Sequence, residues 1–127
     1  MVYDLLIRNA NVLDGSGEAH FCADVAIQGE RICAIGDMPY ATATTMIDAE
    51  GRYLTPGFID VHTHDDTNVI RTPEMLPKLT QGITTVVVGN CGISASPVTL
   101  TRDVPDPMNL LGKLEDFRYP SFSAYAN

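Results

Sequence analysis

The chain has 127 residues, 45% of them hydrophobic and 19% charged, and a net charge of -8, a size and balance that suit one ordinary globular domain with a real core. That acidity excludes the basic footprint of a nucleic-acid binder and the electrostatic grip on anionic lipid that a membrane-surface protein uses. Three cysteines are too few and too odd in number for a disulfide framework.

A reducing compartment follows from that cysteine usage, with Cys22 and Cys33 expected as small buried apolar residues. The chain opens Met1-Val2-Tyr3-Asp4-Leu5-Leu6-Ile7 without the basic and apolar regions of a secretory signal. No apolar run approaches the ~20 residues of a membrane-spanning helix. The expected location is the cytoplasm.

The first third of the chain reads as short strands between turns. Leu5-Leu6-Ile7-Arg8 and Asn11-Val12-Leu13 are bounded by Asn9 and by Asp14-Gly15-Ser16-Gly17. Asp24-Val25-Ala26-Ile27 and Arg31-Ile32-Cys33-Ala34-Ile35 flank Gln28-Gly29-Glu30, the pattern of a hairpin. After a looser stretch from Asp37 to Thr45, Met46-Ile47-Asp48 and Tyr53-Leu54 supply two more strand candidates. Residues 1–55 are therefore expected to form a small β-sheet unit, sandwich-like in character.

The pattern changes at Pro56-Gly57. Phe58 to His64 is a strand candidate, followed by a polar stretch from Asp65 to Arg71. A short helix is expected within Thr72–Gln81. Thr72-Pro73-Glu74 resembles an N-cap with its N1 proline and acidic first turn, although Pro77 favours a later start. Met75 and Leu79 are expected to pack, and Gly82 to end the helix. Ile83-Thr84-Thr85-Val86-Val87-Val88 is β-branched throughout, as in a strand buried on both faces of a parallel sheet. Strand, helix and strand in about 30 residues make a βαβ unit. Beyond Gly89 the chain loosens, with a helical turn expected in Asn109–Phe117 and Ser121 as the N-cap of Phe122-Ser123-Ala124-Tyr125. Ending at Asn127, one turn into that helix, the chain is expected to be truncated.

His62-Thr63-His64 carries the chemistry. Alternate side chains of a strand share a face, so both imidazoles can address one metal ion, and Asp60 shares their face. Neutral imidazole suits Zn²⁺. Two ordinary turn histidines are the alternative; the surrounding Pro56-Gly57-Phe58-Ile59-Asp60 favours ligands. Cys91 lies in Gly89-Asn90-Cys91-Gly92-Ile93-Ser94, directly after the second parallel strand and at the same rim. It is a zinc-binding thiolate or an inert thiol, and spacing alone leaves both open. Asp65 and Asp66 could support the histidines or line a solvated loop. Asn90 and Ser94 could hydrogen-bond near the metal or stabilise the turn.

Pro56 to Asp66 resembles the strand-1 motif of the amidohydrolase superfamily. Gln81 to Gly92, ending Gly89-Asn90-Cys91-Gly92, resembles the next strand of its D-aminoacylase branch, which holds the N-acyl-D-glutamate, N-acyl-D-aspartate and broader N-acyl-D-amino-acid deacylases. Asp4-Leu5-Leu6-Ile7-Arg8-Asn9 and Asp14-Gly15-Ser16-Gly17 resemble that family's N-terminal sheet.

This resemblance implies an α/β fold. Residues 1–55 would be part of a composite β-sandwich that borrows strands from the C-terminus. Residues 56–127 would be the first βαβ unit of a (β/α)8 barrel of ~250 residues. His62 and His64 would bind one of one or two Zn²⁺ ions, and Cys91 would supply or bridge the other position. Zinc would activate water against the amide of an N-acyl-D-amino acid. The remaining histidines and the proton-handling aspartate belong to later strands, so no catalytic residue is assigned within residues 1–127, and the chain alone is expected to lack deacylase activity. A dihydropyrimidinase-like or isoaspartyl-dipeptidase-like enzyme is the nearer alternative, and a non-catalytic metal-binding or structural module the more distant one. Neither nucleic acid nor membrane is an expected partner, whereas the parallel edge at residues 83–88 could support self-association.

Overall fold

A computed structural model describes residues 2–127 of the chain, which divides into two compact units, Met1–Pro56 and Gly57–Asn127. In the first unit, β1 (Val2–Val12), β2 (Phe21–Gln28), β3 (Arg31–Gly36), β4 (Thr42–Asp48) and β5 (Tyr53–Leu54) form one sheet in the order β3-β2-β1-β4, with β5 also on β1. β1 runs antiparallel to β2 and parallel to β4 and β5. The hairpin of β2 and β3 lies where the sequence places it. Among the described residues of this unit, these strands make up one sheet.

The two expected strands before residue 14 are one strand. Its continuity depends on a bulge at Asn9, whose φ of 54° shifts the pairing from Ile7↔Val25 to Ala10↔Ala23. A bulge frees one backbone N–H from the ladder. Here the Asn9 N–H donates to Asp24 Oδ1 at 3.0 Å, and Asp24 is itself buried. The extra residue keeps Ile7, Ala10 and Val12 on one face, where they pack with Ala23, Val25, Ala49 and Leu54. Cys22 and Cys33 are exposed, not buried. Their thiols lie 3.2 Å from Asn11 Oδ1 and from the Ala26 carbonyl.

In the second unit, β6 (Phe58–Asp60) and β7 (Ile83–Val86) pair in parallel around α1 (Asn68–Arg71) and α2 (Leu76–Leu79), giving the βαβ order. Gly57 precedes β6, and the Thr84 side chain leaves no room there for a Cβ. The expected strand to His64 ends at Asp60 because that aspartate turns its own backbone: Oδ1 accepts the His62 N–H at 3.2 Å, an Asx-type turn. Thr72-Pro73-Glu74 caps no helix. α1 precedes it, and α2 begins after Met75, which has a φ of 43°. Pro77 is tolerated in the first turn of α2, where no N–H is needed. Leu79 is half exposed and α2 has no buried residue, so Leu79 does not pack as expected. β7 is likewise shorter and more exposed than its apolar run suggests, and β6 is its only strand neighbour among the described residues.

The core of this unit lies after the βαβ order. Ile93, Leu111 and Phe117 are buried together, with Val98, Leu100, Val104 and Met108 packed against them. Two 3₁₀ turns, Met108–Leu110 and Leu114–Asp116, replace the single turn expected there. A short antiparallel pair, β8 (Val98–Thr99) and β9 (Arg118–Tyr119), closes the cluster. α3 (Phe122–Ala126) begins at Ser121, whose side chain accepts the Ala124 N–H at 3.2 Å.

Candidate metal centre

Because β6 and β7 are parallel, the chain leaves both at the same end, through residues 61–67 and residues 87–96. His62 and His64 ride on the first segment and Cys91 on the second. His62 Nε2 lies 2.8 Å from Cys91 Sγ, and one ligand atom from each of His62, His64 and Cys91 falls within 4.8 Å of the others. The two imidazoles stand edge to face, with ring centroids 5.9 Å apart. This convergence arises from two loops rather than from the alternation of a strand.

Two imidazoles and a thiol are a donor set that zinc accepts. His64 Nδ1 is buried without a hydrogen-bond partner, so that ring nitrogen is unmet by protein, as a nitrogen serving a metal site would be. On tetrahedral zinc, with bonds of about 2.0–2.1 Å to nitrogen and 2.3 Å to sulfur, His62 Nε2 and Cys91 Sγ would stand about 3.5 Å apart. The group therefore fits zinc after a small opening of the His62–Cys91 contact.

Beneath the ligand loop lies Lys78 of α2, which sequence reasoning did not single out. Its ammonium reaches Asp60 Oδ2 at 2.6 Å, Asp65 Oδ2 at 3.1 Å and Thr63 Oγ1 at 3.3 Å. The hydrogen bonds to Asp60 and then Asp65 hold the lysine above its ordinary value. Asp60 is held below the carboxylate range by Lys78 and by the His62 N–H. Burial pushes Asp65 up, but hydrogen bonds from Thr63, Asn68 and Lys78 outweigh it and leave its carboxyl below the ordinary value. The one signal for Lys78 in the sequence is that it is one of two cations, with Arg71, in the stretch after the acids at 60, 65 and 66.

Neither Asp65 nor Asp66 hydrogen-bonds to an imidazole. Asp65 binds Thr63 Oγ1 at 2.5 Å and Asn68 Nδ2 at 3.0 Å. Asp66 is buried and faces the Cys91 segment, accepting from Ser94 Oγ and the Ala95 N–H, each at 3.0 Å. Asn90 Nδ2 donates to the Val61 carbonyl. The Tyr125 hydroxyl donates to the Asp66 carbonyl at 2.7 Å. Burial first, then the Asp66 charge, push that phenol up and keep it a donor.

A cleft of about 530 Å³ opens beside His64, lined by Asn68, Arg71, Leu111, Lys113 and Glu115 among others. Arg71 pairs with Asp116 across Gly112, where a Cβ would strike both side chains. The Thr67 hydroxyl donates to the Leu111 carbonyl. Burial pushes the Asp116 carboxyl up, but the Lys113 N–H and the Arg71 guanidinium outweigh it and leave the group below its ordinary 3.8. A depressed carboxylate stabilises the fold fully above its unfolded pKa, and that contribution is lost as pH falls through the folded value. Asp116→Asn should thus cost about 1 kcal/mol or less at neutral pH, as partly exposed ion pairs do. The gap between the melting temperatures of variant and parent should close in acid below the carboxylate range. A gap that widens in acid would contradict the assignment.

Comparison with known proteins places these residues in context. The model of the family described as "Amidohydrolase family" matches residues 45–126. The chain is 50% identical over 119 residues to an N-acyl-D-aspartate deacylase of Alcaligenes xylosoxydans xylosoxydans, covering 94% of the chain and 24% of that protein. It is 44% identical over 123 residues to a D-aminoacylase of the same organism, covering 97% of the chain and 25% of that protein. Among solved structures, N-acyl-D-glutamate deacylase of Bordetella bronchiseptica, complexed with zinc and a phosphonate inhibitor, is 40% identical with a TM-score of 0.89, over 98% of this chain and 26% of that one. The chain thus spans about a quarter of the length of the relatives it matches. No helix among the described residues is long and apolar enough to cross a membrane.

Proposed function

Since the chain belongs to the amidohydrolase family, we propose that it forms part of a zinc-dependent enzyme that hydrolyses N-acyl-D-amino acids to a carboxylate and a D-amino acid. The observation that carries this reading is the convergence of His62, His64 and Cys91. The likeness of the chain to a zinc-complexed deacylase, 40% identical with a TM-score of 0.89, supports it. On this reading residues 56–127 are the first βαβ unit of a (β/α)8 barrel and residues 1–55 are part of a composite sandwich. His62, His64 and Cys91 are ligands to one or two zinc ions.

Zinc held there would polarise the amide carbonyl and lower the pKa of water. The chain's own residues place it. Asp60, through the His62 N–H, bends the backbone so that the first imidazole turns toward Cys91. Lys78 pairs with both Asp60 and Asp65 on either side of the histidine pair and so draws the two carboxylates away from the metal. The cleft beside His64 offers room for substrate next to the ligands.

A chimera tests this reading. The first quarter of the Alcaligenes D-aminoacylase is replaced by this chain, and release of D-amino acid from N-acetyl-D-amino acids is measured. Zinc-dependent turnover that prefers D over L substrates, and that His62→Ala abolishes, is expected. A chimera that folds and retains zinc but hydrolyses no N-acyl-D-amino acid would defeat the proposal.

A further inference from the structure

The sheet holds the ligand segments only as far as Asp60 and Val86. Cys91 then sits between Gly89 and Gly92, with φ of 83° and 77°, a turn closed by the Gly92 N–H on the Gly89 carbonyl at 3.0 Å. Glycine on both sides gives this backbone wide conformational freedom, so the turn does not by itself fix where the sulfur lies. Its position must come from contacts across to the histidine segment.

Two contacts bracket it. Just before Cys91, Asn90 Nδ2 donates to the carbonyl of Val61, which precedes His62. Beyond Cys91, Asp66 Oδ1 accepts the Ala95 N–H and lies 3.0 Å from Ser94 Oγ. The Ser94 proton has the Ser96 carbonyl at 2.9 Å as a second acceptor, so the Ala95 N–H is the unshared bond. Asp66 is 2% exposed and Ala95 0%. Water does not compete for these bonds, and a buried hydrogen bond to a charged acceptor is among the stronger ones. Asp66 Oδ2 is buried without a partner, so the carboxylate's hydrogen bonds all go to the Cys91 segment.

We propose that Asp66 is a positioning residue: its carboxylate clamps Ser94 and Ala95 to the histidine segment and thereby sets the reach of the Cys91 thiol to the imidazoles. The proposal rests on the metal-centre reading above. Outer partners of this kind, which orient ligands without touching the metal, typically carry 10–100-fold in metal affinity.

Cobalt(II) provides the test, because a thiolate on cobalt gives a sulfur-to-metal charge-transfer band that imidazoles alone do not. The 127-residue chain is titrated with cobalt in a Cys22→Ser, Cys33→Ser background, so that Cys91 is its one thiol. In the parent of this series the band is expected, and Cys91→Ala removes it. Asp66→Ala is expected to weaken cobalt about 10–100-fold and to lose the band while circular dichroism stays unchanged. Asp66→Asn, which keeps an acceptor oxygen, should restore the band, since the clamp needs an acceptor and not a charge. A folded Asp66→Ala with the parent's band and affinity overturns the clamp, as does an Asp66→Asn that loses the band as fully as Asp66→Ala. Should Asp66→Ala fail to fold, Ser94→Ala decides: a severalfold loss of affinity supports the clamp and parental behaviour overturns it. A folded parent that binds cobalt without the band removes Cys91 from the metal centre, which overturns that reading and the clamp with it.

Discussion

Cys91→Ala is expected to lower the zinc affinity of the chain by more than about 100-fold, beyond the 10–100-fold that loss of an orienting partner costs. The reason is the composition of the site. On the proposed reading His62 and His64 would be neutral ligands two residues apart on one loop, and Cys91 would be the donor that brings a negative charge and a second loop. Without the sulfur, zinc would be held by two imidazoles and water, with no link across to residues 87–96. Competition against a chromogenic chelator measures the change directly. Cys22→Ala and Cys33→Ala serve as controls, because those thiols contact Asn11 and Ala26 of the first unit and should leave affinity at the parental level. A Cys91→Ala chain that binds zinc as tightly as its parent would remove the thiol from the site.

The second large effect is on stability. Phe117→Ala should destabilise the second unit by roughly 3–5 kcal/mol, the range for emptying a buried aromatic position. Phe117 is 1% exposed and packs with Ile93 and Leu111. Its carbonyl also accepts the Leu100 N–H at 2.9 Å, so the ring anchors the backbone next to the β8–β9 pair. Such a loss is a large fraction of the 5–15 kcal/mol that ordinarily holds a domain folded. Ile93 follows Cys91 by two residues, so the cavity opens directly behind the thiol segment, and metal affinity should fall along with stability. Phe122→Ala provides the contrast: that ring is 71% exposed, and its removal should change stability by about 0.5 kcal/mol or less. Urea unfolding of both variants decides the matter, and equal midpoints would contradict the core described here.

Much of the fold is legible where the chain is periodic. The β2–β3 hairpin announces itself through two apolar runs about a glycine turn, and the βαβ order through Phe58-Ile59-Asp60 and Ile83-Thr84-Thr85-Val86. Asn9 hides the continuity of β1, because a polar residue in the left-handed region looks like a turn until its freed N–H is seen on Asp24. β8 and β9 are two residues each, too short for any alternation to show. At the site, the spacing of His62 and His64 draws attention to two residues that the fold brings close to Cys91, but not through the strand alternation expected. Their meeting with Cys91 comes from an Asx turn at Asp60, a local hydrogen bond rather than a pattern of apolar residues. The links of Lys78 with Asp60 and of Asp66 with Ala95 join positions 18 and 29 residues apart. A sequence shows such residues as charges, and only the folded chain shows which atoms they face.

Thr67 and Arg71 stand one helical turn apart and take hold of Leu111 and Asp116. A segment fastened at one point can swivel about it; fastened at two, it cannot. The far wall of the cleft is therefore carried with the stretch that bears His64, only three residues upstream of Thr67. Thermal motion that displaces one displaces the other, and the recess beside the imidazole keeps its width as the surrounding chain flexes.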